Sequence, residues 1–180
     1  MNYLHAFTLL TFCVGVIGAT VSQAHEKSSD AAALHTRGEF TFVVSAPYAD
    51  VFPLFGAHKE RVWARGFDPQ FLYPFPPRDE PGMVFTTVQD GMPRVWVNTA
   101  FDQASGHVQY VYWIAGVMTA LIDIHVANSG DSATRVHVVY ERTALRPEAN
   151  DQVMRMGQDD GKAGPHWAEM IHGYFERSRD

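Results

Sequence analysis

Hydrophobic and polar residues alternate along the second half of the chain in a pattern that predicts a β-sheet. Apolar side chains occupy every second position from Met118 to Val126, with Asp123 and His125 on the opposite side. A period of two is typical of strands that bury one face. Turn pairs such as Asp90–Gly91 separate five segments of this kind, and such closely spaced strands pair antiparallel. The segments are 82–88, 94–101, 107–114, 118–127 and 134–143.

The residues on either side of these strands predict one further strand and several helices. The β-prone run 36–46 opens the fold, and Pro47 after it suits the first turn of a helix. A second short helix is predicted over 58–64 and a less regular one over 147–156. Near the C-terminus, apolar residues recur at the spacing of an amphipathic helix. They are Trp167, Met170, Ile171, Tyr174 and Phe175.

This order of elements predicts an α+β fold in which a curved antiparallel sheet of about six strands wraps around the terminal helix. Residues 66–82 contain five prolines with four aromatic residues between them. Because proline breaks helices and cannot donate to a central strand, this segment predicts a long loop held on an apolar surface. An apolar gap between sheet and helix is then the place for a small molecule.

The first 24 residues predict an export signal. Residues 6–19 form an uncharged apolar run, shorter than the ~20 residues of a membrane-spanning helix. Ser22 and Ala24 supply a cleavage pattern before His25, although no Lys or Arg precedes the run. A buried N-terminal helix is the alternative. We therefore expect a signal peptide over 1–24, cleaved or kept as an anchor, a flexible leader over 25–35, and a single domain over 36–180 in the periplasm or outside the cell.

Composition narrows the classes of function. The only cysteine, Cys13, lies in the predicted signal, so the mature chain would have no disulfide and no cysteine nucleophile. A formal net charge of −6 without a basic cluster argues against nucleic acid as a partner. The sequence also holds no nucleotide-binding glycine loop and no serine-nucleophile motif. We expect no cofactor and no metal, and the oligomeric state stays open.

One stretch of sequence carries a resemblance to a known family. Residues 60–69 read ERVWARGFDP, and the motif positions in it are Glu60, Arg61, Trp63, Gly66, Phe67, Asp68 and Pro69. The stretch resembles the E-R-x-W-x-x-G-[WF]-D-P motif of bacterial members of the SRPBCC (START-like) superfamily, the polyketide cyclase/dehydrase and lipid-transport group. Pro81–Gly82 with Phe85 is similar to the P-G-x-x-F that opens the second strand there. The order of elements matches from Gly38 to Phe175.

The resemblance implies a helix-grip fold with a cavity between the sheet and the last helix. It implies no single activity, because members of the superfamily carry lipids, cyclise polyketides or have no known ligand. The chain departs from the pattern at Phe67, where tryptophan is commoner, and in the glycine and proline residues before the last helix. These two departures leave the shape of the cavity open.

Ionisable groups suited to acid–base chemistry lie on one predicted strand. Asp123 and His125 share a face, and they would lie near His137 and Glu141 if the last two strands pair. Groups this close can pass a proton, but the alternation places them outside, where polar residues need no function. The last helix carries His166, Glu169 and His172 off its apolar stripe, which predicts a solvated face rather than a metal site.

Aromatic residues are the candidates for contact with a ligand. Tyrosine and tryptophan combine an apolar body with one polar group, which suits a cavity that orients a mostly apolar guest. The candidate ligand-binding residues are Trp63, Phe85, Trp96, Tyr110, Tyr112, Tyr140 and Trp167. Within the family motif, an Arg61–Asp68 pair is predicted to lock the proline-rich loop onto the second helix, with direct ligand contact as the alternative.

Three functions are compatible with these patterns. The leading one is non-covalent binding or transport of a small hydrophobic, aromatic or lipid-like molecule. The second is a cyclase- or dehydratase-type enzyme that uses the tyrosines or the Asp123–His125 pair, which requires such a group to face the cavity. The third is a protein-interaction module whose filled core binds no small molecule.

Overall fold

The computed structural model describes residues 32–178, so the predicted signal peptide and residues 25–31 of the predicted leader lie outside the described residues. Seven strands form one antiparallel sheet with the spatial order β1-β7-β6-β5-β4-β3-β2. The strands are β1 (His35–Val44), β2 (Gln70–Tyr73), β3 (Val84–Gln89), β4 (Met92–Asp102), β5 (His107–Ile114), β6 (Met118–Asn128) and β7 (Thr134–Ala144). The predicted α+β fold with its antiparallel sheet and terminal helix is confirmed.

Four helices accompany the sheet. They are α1 (Tyr48–Val51), followed by a 3₁₀ turn over Phe52–Phe55, α2 (Ala57–Glu60), α3 (Asn150–Asp160) and α4 (Gly164–Arg177). The second helix ends earlier than predicted, and its hydrogen bonding continues as separate turns as far as the amide of Ala64. The third runs further than predicted, because Gly157 does not end it. A Cβ atom at Gly157 would lie 2.6 Å from the Thr36 hydroxyl, so glycine allows α3 to approach β1 closely.

The proline-rich segment contains a strand that the sequence analysis did not predict. The four residues of β2 lie between Pro69 and Pro74, contain no proline themselves, and pair with β3. They form the edge of the sheet, where only one side of a strand needs hydrogen-bond donors. The sheet therefore has one strand more than the six or so that the sequence predicted. The prediction that residues 66–82 form a loop throughout is wrong, because β2 lies within this segment.

The end of the predicted leader belongs to the domain. Leu34 packs against the core, and its amide donates to Oδ1 of Asn150 at 2.8 Å. The Nδ2 group of the same asparagine donates to the carbonyl of Ala32 at 3.1 Å, and β1 already begins at His35. An apolar residue one position before the strand provides the contact that ties this segment down.

The core lies between the inward face of the sheet and α4. Ile171 of α4 is fully buried, and the Trp167 ring meets Phe40 of β1 edge-on at a centroid distance of 5.4 Å. The apolar faces predicted for β6 and β7 point inward, with Ile122, Ile124, Val136 and Val138 all buried. Among residues 32–178, no helix combines the length and the apolar character needed to cross a membrane.

Candidate ligand cavity

A cavity of about 200 Å³ lies between the sheet, α4 and the segment that follows α2. Four neighbouring strands, β4 to β7, supply its floor, and Trp167 and Met170 of α4 cover it. The aromatic side chains that line it are Trp63, Phe67, Trp96, Tyr110, Tyr112, Tyr140 and Trp167. The interior is therefore not completely filled by side chains.

Six of the seven residues predicted to bind a ligand line this cavity, and Phe85 is the exception. Phe85 is buried behind Trp96, whose indole stacks on it with a centroid distance of 5.5 Å and an interplanar angle of 8°. Its place on β3 lets it support the cavity wall without reaching the empty space. The prediction that Phe85 contacts a ligand does not agree with this position.

The stretch of residues 60–69 lies over one side of the cavity. Trp63, Phe67 and Pro69 are buried, and the Trp63 ring contacts that of Trp167 at a centroid distance of 5.5 Å. Gly66 has a φ of +79°, a left-handed turn conformation that favours glycine and lets the chain turn between Trp63 and Phe67. The stretch thus builds the cavity wall mainly through packing.

The predicted Arg61–Asp68 lock is wrong. Both side chains are exposed, and residues 32–178 provide no ion pair between them. Asp68 instead accepts a hydrogen bond from the side-chain amide of Gln70 at 3.4 Å. The proline-rich segment is held by buried Phe67, Pro69 and Pro74, because these gain more from burial than a solvated ion pair would supply. Tyr73 and Phe75 are exposed, so the prediction that the aromatic residues of this segment lie on an apolar surface is wrong for these two.

Several polar groups of the aromatic lining already have protein partners. The Tyr110 hydroxyl donates to the carbonyl of Phe55 at 3.0 Å and accepts from the amide of Ala57 at 2.9 Å. The indole of Trp63 donates to the Leu54 carbonyl at 2.7 Å. These bonds position the start of α2, so the groups that make them are not available to orient a guest. Within residues 32–178 the Tyr140 hydroxyl has no hydrogen-bond partner, and it is the tyrosine that a guest could use.

A buried ion pair forms one end of the cavity. Nε and Nη2 of Arg142 donate to the two carboxylate oxygens of Asp160 at 2.6 and 2.5 Å, and Nη1 donates to the Tyr112 hydroxyl. Burial disfavours the charge of Arg142, but these bonds outweigh it and raise the pKa of the guanidinium. Asp160 can reach this position because Gly38 of β1, opposite Tyr140, leaves room for the end of α3. The pair is neutral as a unit.

Glu60 brings an ionisable carboxyl group to the same cavity. Burial, and to a smaller extent the negative charge of Asp79, raises the pKa of Glu60 to about 8. Asp79 itself accepts a hydrogen bond from the His58 amide at 2.9 Å and so satisfies a free donor in the first turn of α2. Glu60 is therefore mostly protonated at neutral pH and can donate a hydrogen bond as well as accept one.

Arg94 is the second buried arginine that lines the cavity, and the third lining arginine, Arg65, is exposed. The residue surface of Arg94 is 7% exposed, and its Nε is buried without a hydrogen-bond partner. The guanidinium carbon lies 5.5 Å from the centre of the Tyr112 ring. In the part of the chain that the structure describes, no carboxylate lies within ion-pair distance of it.

Asp123 and His125 do not face the cavity. Both lie on the outer face of β6, as the alternation predicted, and His137 of β7 lies opposite His125 as expected. Glu141 lies opposite Leu121 instead, and the partner of Asp123 is His107 of β5. Asp123 bonds to Nε2 of His107 at 2.6 Å and lies 3.5 Å from Nε2 of His125. The three groups could share a proton or hold a metal ion at the surface, but acid–base chemistry inside the cavity is not open to them.

A second depression runs along the outer side of α4. It is about 570 Å³ in volume and mostly lined by polar residues such as His166, Glu169 and Arg177. Trp63, Arg65 and Met170 line both this groove and the cavity. These three side chains therefore separate the groove from the cavity.

Sequence reasoning missed the charged residues of the cavity. Arg94 and Arg142 fall on the inward side of their strands, in register with Trp96 and Tyr140 two residues away. A charged residue at an inward position is the signal that could have identified them. Glu60 was assigned only to the motif, and nothing in its spacing shows that it faces the interior.

The fold is shared with several solved structures. A START superfamily protein from Mycobacterium smegmatis has a TM-score of 0.59 and 12% identity, over 79% of this chain and 98% of that one. Norcoclaurine synthase from Thalictrum flavum, in complex with dopamine and hydroxybenzaldehyde, has a TM-score of 0.55 and 12% identity, over 84% and 87%. A protein from Rhizobium leguminosarum has a TM-score of 0.56 and 14% identity, over 81% and 97%.

These similarities confirm the helix-grip, START-like fold that the resemblance of residues 60–69 implied. No family model and no curated protein matches the sequence. Identities this low show the fold alone, so the chemistry of the cavity has to be argued from its own residues.

Proposed function

We propose that this protein binds a single-ring aromatic molecule, without covalent chemistry, in the cavity between the sheet and α4. The observation that carries the proposal is a space of about 200 Å³ whose lining includes seven aromatic side chains. A cavity of ~150 Å³ in another protein holds one benzene molecule, whereas pockets for drug-sized ligands begin near ~300 Å³. One substituted ring fits this space, and a long acyl chain does not.

The expected affinity is modest. An aromatic ring buries roughly 150 to 250 Å² of surface, which at about 25 cal/mol per Å² gives about 4 to 6 kcal/mol before the losses of association. Because the losses of association still have to be subtracted, this range sets an upper limit on the affinity, and the dissociation constant is no smaller than roughly tens of micromolar. We place this binding outside the cytoplasm on the basis of the predicted signal peptide alone.

The solved complex of norcoclaurine synthase supports the size of the guest. Dopamine and hydroxybenzaldehyde are both single-ring compounds, and they occupy a protein of the same fold. This support concerns the type of molecule that the fold accommodates and does not carry the activity of that synthase to this chain.

A filling substitution tests the proposal. Ile122 lines the cavity, while Leu121, the next residue on β6, points to the outer face. We expect titration calorimetry with benzyl alcohol to show saturable binding to the wild type and to Leu121→Trp, and none to Ile122→Trp. Equal binding by all three proteins would move the site out of the cavity, and no binding by the wild type would reject the proposal.

A cyclase- or dehydratase-type enzyme is the second candidate, and Glu60 is the observation that favours it. A carboxyl group with a pKa of about 8 inside a cavity can exchange a proton with a bound substrate near neutral pH. The unpartnered Tyr140 hydroxyl faces the same space. Turnover of a bound aromatic carbonyl compound, detected by mass spectrometry and lost in Glu60→Gln, would establish this second function.

A further inference from the structure

Arg94 is a buried basic residue without an anionic partner among the described residues. Its guanidinium faces the cavity, its Nε is buried without a partner, and no carboxylate of residues 32–178 pairs with it. A buried charge without a partner is costly, because the protein does not replace the hydrogen bonds of water. An unpaired Arg94 therefore lowers the stability of the fold unless a bound anion supplies the missing hydrogen bonds.

The other buried arginine of the cavity, Arg142, has a full set of hydrogen-bond partners. Arg142 is equally buried, yet all three of its nitrogen atoms donate to Asp160 or Tyr112. Glu60 lines the same cavity but forms no ion pair with either arginine. Of the two buried guanidinium groups in the described lining, that of Arg142 therefore has a matched charge and that of Arg94 does not, while the third lining arginine, Arg65, is exposed to solvent.

We propose that Arg94 binds the carboxylate of the guest, so that the ligand is a single-ring aromatic acid. This inference rests on the proposed function and adds the chemical class of the ligand. A carboxylate is planar and accepts two parallel hydrogen bonds from a guanidinium, which fixes its orientation as well as its position. The ring would then lie against the aromatic lining.

The size of the space favours a carboxylate over a larger anion. With a volume of about 200 Å³, the cavity has room for a single ring with small substituents. A single negative charge also matches the one buried guanidinium that has no ion-pair partner, Arg94.

Two probes that differ only in charge test the inference. Benzoate and benzamide have the same shape and ring, but only benzoate is an anion. Titration calorimetry at pH 7.5 should show benzoate binding to the wild type at least 10-fold more tightly than benzamide. In Arg94→Met, benzoate affinity should fall 10- to 100-fold, the range for hydrogen bonds to a charged group, while benzamide changes by less than 3-fold.

Two further variants separate the role of Arg94 from general effects of charge. Arg94→Lys keeps the charge without the planar fork, and we expect it to retain part of the preference for benzoate. Arg135→Met removes an exposed arginine from the outer face of β7 and should behave as the wild type does. Thermal unfolding without ligand verifies that each variant is folded.

The possible results distinguish this inference from the proposed function. If benzoate and benzamide bind the wild type equally, the anion site is rejected while ring binding stands. If Arg94→Met lowers the affinity for benzoate and for benzamide equally, Arg94 only shapes the cavity and the inference is rejected. If benzyl alcohol, benzamide and benzoate all fail to bind the wild type, the proposed function fails and the anion site fails with it. Should Arg94→Met not fold, the wild-type comparison and Arg94→Lys decide.

Discussion

Replacing Glu60 by glutamine should make the stability of the protein less dependent on pH. Burial and the nearby charge of Asp79 raise the pKa of Glu60 from 4.5 to about 8 in the folded state. The folded protein therefore binds this proton more tightly than the unfolded chain does. It follows that the free energy of unfolding decreases as the pH rises from about 4.5 to about 8, and that this contribution is constant above and below that interval.

The size of the effect follows from the same pKa values. Each pH unit within the interval changes the free energy of unfolding by at most roughly 1.4 kcal/mol, so the whole interval corresponds to about 4 to 5 kcal/mol. Glu60 keeps some contact with solvent, which screens its charge. We therefore expect a loss of about 2 kcal/mol between pH 5 and pH 8 from this residue.

Urea unfolding at pH 5, 6, 7 and 8 measures this loss directly. The wild type should lose about 2 kcal/mol more than Glu60→Gln across the series. Glu169→Gln is the matched control, because Glu169 lies exposed on α4 and should leave the wild-type slope unchanged. The free energy of unfolding of Glu60→Gln will still depend on pH to some extent, since burial also raises the pKa of Asp79. Parallel curves for the wild type and Glu60→Gln would refute a neutral carboxyl group in the cavity.

Three further substitutions test other parts of the structure. Asp160→Asn removes the carboxylate from buried Arg142 and should lower the free energy of unfolding in urea by about 3 kcal/mol, whereas an unchanged midpoint would contradict the ion pair. Gly38→Ala brings a methyl group within 2.9 Å of the Asp160 Cβ and should cost about 1 to 3 kcal/mol, and an equal melting temperature in calorimetry would show that α3 lies further from β1. Burial tends to raise the pKa of Asp123, but the hydrogen bonds from His107 and Gln109 and the charges of His107 and His125 together outweigh it and lower that pKa. The stabilisation is therefore present at pH 7 and lost as the pH falls below 3.8. Asp123→Asn should therefore cost up to about 1 kcal/mol in thermal unfolding at pH 7 and nothing near pH 2, and a cost that persists at pH 2 would count against this ion pair.

The period-two pattern predicted most of the sheet because each strand between β3 and β7 buries one face. Ile122 and Ile124 point inward, and Asp123 and His125 point outward, as the alternation requires. The pattern could not predict β2, because a four-residue edge strand between prolines has too few positions to show a period. It also could not predict that His107 would be the partner of Asp123. That contact depends on the register between β5 and β6, and no single strand contains this information.

The aromatic lining was easier to predict than the charges inside it. The size of Trp96 and Tyr140 and their position in the alternation indicate that they are interior residues. Arg94 occupies an inward position too, but a long basic side chain can also extend to solvent, so its sequence position alone does not decide. Glu60 reaches the cavity from the end of α2, and its environment follows from how the loop packs rather than from any local pattern.

Crystals soaked with 4-bromobenzoate would test most directly whether the cavity is the binding site. Anomalous scattering locates the bromine atom independently of the rest of the density. We predict one bromine peak inside the space enclosed by Trp63, Trp96 and Trp167, with the carboxylate of the compound directed to Arg94. A bromine peak confined to the polar groove along the outer side of α4, or no peak at a saturating concentration, would contradict binding of aromatic molecules in the cavity.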